Sequence, residues 1–136
     1  MTSSQEQIIA FCCRHSARRA ADRAALEGLA LPGTVRLVNV PCSGRISMEL
    51  ILKALEDGAP GVLVLGCHPG ACHHLYGSDR ARERVTAVRQ RLQEAGLNPA
   101  RVAFASLGPD NAADLARILA DFVESSWVLT PLASEP

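Results

Sequence analysis

A chain of 136 residues, 48% of them hydrophobic and 21% charged, is long enough for one domain with its own core and too apolar for intrinsic disorder. Fourteen basic side chains balance fourteen acidic ones, so no global field draws it to nucleic acid or an anionic membrane, and no apolar run approaches the ~18 residues of a membrane span. The first seven residues are polar and lack a basic-then-apolar leader, which makes the cytoplasm the expected address; there, five cysteines point to metal binding or catalysis, not to a disulfide framework.

In chain order, the apolar run Ile8–Cys13 reads as a strand. An Ala- and Arg-rich helix follows over 16–27 and stops at Gly28. Pro32-Gly33 turns the chain into a second strand, Val35–Val40. Pro41-Cys42-Ser43-Gly44-Arg45 then leads to a helix over 47–57, in which Met48, Ile51, Leu52 and Leu55 mark the buried face and Gly58 the C-cap. The run 61–66 is apolar throughout, as a central parallel strand covered on both faces must be. It empties into Cys67-His68-Pro69-Gly70-Ala71-Cys72-His73-His74, ahead of a long helix over 79–95. A fourth strand over 101–106 and a helix opened by Pro109-Asp110-Asn111 complete the pattern, with Leu115, Ile118, Leu119 and Phe122 as its apolar stripe. The sheet is expected to have four strands, with a short fifth, edge strand around 127–129 as a further option. This divides the chain into a flexible N-terminus (1–7), an α/β domain (8–129) and a frayed tail (130–136). Strands alternating with helices imply right-handed crossovers and a parallel sheet, here in the flavodoxin-like order 2-1-3-4.

Cys13, Cys42 and Cys67 each fall at or just past the C-terminal end of a strand, the edge at which open α/β sheets bind ligands. With strands in the order 2-1-3, spaced ~4.8 Å apart, the three loop mouths lie within ~10 Å of one another, and Cys72 can fold back over the same spot. Glycines and prolines in these loops (Pro41, Gly44, Gly66, Pro69, Gly70) allow tight turns and close approach of backbone N–H groups to an anionic centre. Cys12, one residue from Cys13, must point to the opposite face, where a buried thiol packs as a small hydrophobe. Four converging thiols make a metal-site constellation; a structural or regulatory zinc ion would take four thiolates, or three thiolates and an imidazole. A thiol–disulfide protein using Cys67 and Cys72 is the further alternative. No nucleophile–base–orienter triad, Walker loop or G-x-G-x-x-G occurs, so a non-catalytic role is expected.

Around this constellation, Arg45 is placed to lend positive charge to an anionic cluster or, as the plainer reading, to pair with Glu49. His68 and His73 are placed to hydrogen-bond its sulfurs or the loop carbonyls. A two-histidine centre is disfavoured because four cysteines already satisfy the count. His74 belongs to the same loop, whereas His15 reads as a surface residue. Arg80, Arg82, Arg84, Arg89 and Arg91 on the third long helix read as a solvated face or as a dock for an acidic partner.

The segments Ala10-Phe11-Cys12-Cys13, Cys42-Ser43-Gly44-Arg45 and Gly61 to Gly70 with Cys72-His73 resemble the delta-subunit family of methyl-viologen-reducing hydrogenase, and the resemblance extends over residues 7–124. It implies a small α/β subunit carrying a 2Fe–2S cluster on Cys13, Cys42, Cys67 and Cys72. Such a subunit would pass single electrons between a hydrogenase, or another dehydrogenase, and the flavin and iron–sulfur subunits of a heterodisulfide-reductase-type complex. The chain departs from the family at Ser16, where the family has the second cysteine of a C-x-x-C. Cys12 or a histidine is then the alternative donor for the missing position.

Overall fold

The computed structural model describes residues 7–14, 16–67 and 77–133, with the backbone alone for 77, 78 and 125–133. Four strands, β1 (Ile8–Cys13), β2 (Val35–Val40), β3 (Val62–Gly66) and β4 (Val102–Ser106), form one all-parallel sheet in the order β2-β1-β3-β4. The helices are α1 (Ala17–Leu26), α2 (Met48–Glu56), α3 (Gly77–Glu94) and α4 (Ala112–Ala133), with short 3₁₀ turns at Ser43–Arg45 and Pro99–Arg101.

The period-2 alternation of the strands sorts the core into two layers. Ile8, Ala10 and Cys12 of β1 and Leu63 and Leu65 of β3 face α1 and α4, where they meet Ala17, Ala20, Ala21, Leu115, Leu119 and Phe122. The alanines of α1 have no bulk to hold the helix off the sheet, so it packs close. Phe11, Val62 and Val64 face the other way, against Ile51 of α2 and Val85, Val88 and Leu92 of α3. All five residues of β3 are buried, as a strand flanked by neighbours and covered on both sides requires. Gly58 closes α2 with φ of 109°, a backbone conformation that glycine adopts without strain.

The four expected strands and the helices recur with boundary shifts of one or two residues. The optional fifth strand does not form around 127–129. The backbone there belongs to α4, which continues to Ala133. The apolar run that suggests an edge strand prolongs the helix begun at Ala112. No described helix is long and apolar enough to cross a membrane.

Candidate metal centre

The strand register puts three thiols side by side. Cys13 ends β1 opposite Val40 of β2, Cys42 follows that strand within two residues, and Cys67 comes directly after β3. All three side chains are buried and form a separate cluster at the carboxyl edge of the sheet, apart from both hydrophobic layers. Cys13 Sγ and Cys67 Sγ lie 3.7 Å apart. That is far beyond the ~2.05 Å of a disulfide bond. It matches the sulfur–sulfur edge of about 3.8 Å that a tetrahedral centre with metal–sulfur bonds of about 2.3 Å would have.

Three local devices hold the cluster. The turn Ser43–Arg45 directs the Gly44 N–H at Cys42 Sγ, at 3.3 Å, so the sulfur already receives a backbone donor of the kind that stabilises a thiolate. Arg84 of α3 reaches across to donate Nη1 to the carbonyls of Gly44 and of Ile46, the latter at 3.0 Å, and pins that turn from outside. Gly66 lets the end of β3 approach closely. A Cβ there would sit 2.9 Å from Ser43 Oγ and 3.2 Å from the Phe104 ring.

Ser16 is 2% exposed at the N-cap of α1, yet its side chain caps nothing. Its Oγ lies instead 3.4 Å from Cys67 Sγ, with the thiol as donor. The position at which the resemblance implies a second strand-one cysteine therefore still faces a sulfur, with a hydroxyl. Ser43 is equally buried, and its Oγ has no hydrogen-bond partner among the described residues. A buried, unpaired hydroxyl costs about 1–3 kcal/mol, and this one stands next in the chain to Cys42 and 2.9 Å from where a Cβ on Gly66 would be.

Cys12 is excluded as a substitute donor. Its side chain enters the α1/α4 layer, fully buried, and donates a weak hydrogen bond to the Ala10 carbonyl at 3.7 Å. Burial pushes the Cys12 thiol up to about 12, against a partial lowering by Arg18, so it stays protonated. Cys72, His68 and His73, together with His15 and His74, lie outside the described residues. Arg45 is exposed, in a groove of about 600 Å³ shared with Glu49, Arg84 and Arg91.

Among the described residues, no group of three or more Cys, His, Asp or Glu side chains is arranged to hold a metal ion. The groups gathered there suit a thiophilic centre in kind: three soft sulfurs, with the Gly44 N–H at one of them and the Ser16 hydroxyl at another. Sequence reasoning misses the role of Arg84. By type it belongs with the polar side of α3, and nothing local in the sequence signals a contact made 40 residues away. Two other arginines of that face are engaged as well: Arg82 stacks over Phe104 at 5.3 Å, and Arg89 donates to the Val102 carbonyl at 3.1 Å. The stripe thus serves in part to fasten α3 to the sheet edge.

A family profile described as the delta subunit of methyl-viologen-reducing hydrogenase matches residues 8–127. The chain belongs to this family. Among its relatives, the iron-sulfur subunit of an F420-non-reducing hydrogenase from Archaeoglobus profundus is 34% identical over 131 residues, covering 96% of both chains. The vhc iron-sulfur subunit of an F420-non-reducing hydrogenase from Methanococcus voltae is 39% identical over 98 residues, which are 72% of this chain and 68% of that one. A much longer protein, one of the subunits of the ferredoxin:CoB-CoM heterodisulfide reductase of Methanosarcina mazei, is 30% identical over 128 residues, 94% of this chain. The matched segment is only 16% of the length of that reductase protein.

Proposed function

We propose that the protein is an electron-transfer subunit holding a 2Fe–2S cluster on Cys13, Cys42, Cys67 and Cys72. The observation that supports this most is the gathering of Cys13, Cys42 and Cys67 into one buried cluster at the carboxyl edge of the sheet, in a chain whose relatives are named iron-sulfur subunits. When bound, such a cluster takes up and releases one electron at a time.

The chain's own residues do the rest of the work. The thiolates supply soft ligands. The Gly44 N–H offsets negative charge on Cys42, and the fold excludes water from three of the sulfurs. On this reading, His68 and His73 hydrogen-bond the loop or the sulfurs, and Arg45 contributes charge from the exposed side of the Cys42 turn. The role is relay, not catalysis, which makes the protein one component of a larger cytoplasmic assembly. Its donor would be a hydrogenase or another dehydrogenase subunit, and its acceptor the flavin and iron–sulfur subunits of a heterodisulfide-reductase-type complex. The likeness to part of one such reductase supports that partner class.

The test is anaerobic purification followed by counting of iron and acid-labile sulfide, visible spectroscopy and reductive titration. The expected result is two irons and two sulfides per chain, red-brown colour and a one-electron reduction. Colourless protein with bound zinc, or metal-free protein with a Cys67–Cys72 disulfide, would overturn the proposal.

A further inference from the structure

The Ser16 hydroxyl is the feature of the centre that neither the family pattern nor the ligand count explains. Serine is a favoured N-cap because its oxygen ordinarily accepts an N–H from the first turn of its helix. Ser47 does this at the start of α2, accepting the Leu50 N–H at 3.0 Å. Ser16 stands at the same position of α1 and makes no such bond. Its Oγ is withdrawn from solvent and lies 3.4 Å from Cys67 Sγ. A second local bond, from the Ser16 N–H to the Cys13 carbonyl at 3.2 Å, ties the residue to the strand end that carries the neighbouring sulfur.

We propose that Ser16 is a positioning and tuning residue for the centre, not one of its ligands: its hydroxyl donates a hydrogen bond to the Cys67 sulfur and raises the reduction potential. This rests on the iron–sulfur reading above. As a thiol, Cys67 donates to Ser16 Oγ. When Cys67 binds metal it gives its proton to solvent, and the bond must then reverse, with the Ser16 O–H donating and the sulfur accepting. A donor aimed at a cluster sulfur favours the more negative, reduced state, and burial keeps water from competing for that sulfur. The Ser16 hydroxyl is a neutral donor, and as a hydrogen-bond partner it leaves the four-thiolate count intact.

The experiment compares Ser16→Ala, Ser16→Thr and the unmodified protein for iron content, visible spectrum and midpoint potential by anaerobic titration. Ser16→Ala is expected to keep its iron and its spectrum while the potential falls, by roughly a tenfold change in the reduction equilibrium, about 59 mV for one electron. Ser16→Thr, which retains the hydroxyl, is expected to restore the potential. Ser16→Gly is the second variant should Ser16→Ala fail to fold; glycine is tolerated at an N-cap and has no hydroxyl, so it is expected to shift the potential in the same direction. An unchanged potential in an iron-replete Ser16→Ala or Ser16→Gly protein would overturn the proposal. Iron loss from a folded Ser16→Ala protein would overturn it too, by making Ser16 a ligand. Iron-free unmodified protein would instead sink the underlying reading, and this inference with it.

Discussion

Cys12 and Cys13 are adjacent in the chain and occupy different chemical worlds. Cys12 looks into the α1/α4 layer among Ala10, Leu63 and Leu65, where its polar contact among the described residues is a weak bond to a carbonyl. Cys13 looks to the other side of the strand, towards Cys42 and Cys67, with a second sulfur 3.7 Å away. Both are buried, so burial does not separate a packing thiol from a ligand-type thiol. What separates them is the company each keeps, which the pleat of a strand decides one residue at a time. The expectation that a lone in-strand cysteine packs as a hydrophobe holds for Cys12, and that removes it from the set of donors that could replace the missing cysteine.

The contrast can be pressed hardest with alkali. The folded-state value of the Cys12 thiol, about 12, lies above the ordinary 9.0, so the folded protein holds this proton after the unfolded chain has released it. The Cys12 contribution to stability is therefore intact below pH 9 and lost as pH rises towards 12, at about 1.4 kcal/mol per unit. Chemical denaturation of the metal-free protein at pH 8, 9 and 10.5 is expected to show this decline, and Cys12→Ala to flatten it. An equal decline in Cys12→Ala would place the alkaline sensitivity elsewhere.

On the Cys13 side, the packing around the sulfurs can be broken without touching a thiol. Gly66→Ala places a methyl 2.9 Å from Ser43 Oγ and 3.2 Å from Phe104. Overpacking of this kind typically costs about 1–3 kcal/mol, and here it would push directly on the residue before Cys67. Expected results are a lower midpoint in urea and a faster loss of iron to a chelator; an unchanged chelation rate would show that Gly66 does not control the approach of Cys67. Smaller still should be Arg84→Met, which leaves the carbonyls of Gly44 and Ile46 without their side-chain donor. About 1–2 kcal/mol of stability is at stake. Iron release is expected to accelerate more than global unfolding, because the bond holds the Cys42 turn and not the core. The opposite order would make Arg84 a general fastener of α3.

Much of this is legible in the residues, for reasons that differ by element. Hydrophobic periodicity gives the elements, and β3's unbroken apolar run its covered, central place in a parallel sheet; the order, which the structure shows, is the flavodoxin-like choice among the few that cover such a strand. The three strand-end thiols are legible because strand order converts sequence position into proximity. The C-terminal segment is not. A run such as Trp127-Val128-Leu129 suits strand or helix equally by composition, and continuity with a helix already under way decides it. Ser16 and Arg84 can be read from sequence only by type, one as a lost ligand and the other as part of a polar face. Their actual bonds are made to residues 51 and 38 positions away, and a local pattern carries no record of such contacts.

The most direct test is to prepare Cys12→Ala and Cys13→Ala side by side without oxygen and count the iron retained by each folded protein. The account predicts that removing Cys12 leaves the iron content of the parent, while removing Cys13 abolishes it or leaves a small residue. Equal retention by the two proteins, or loss on changing Cys12 alone, would contradict it.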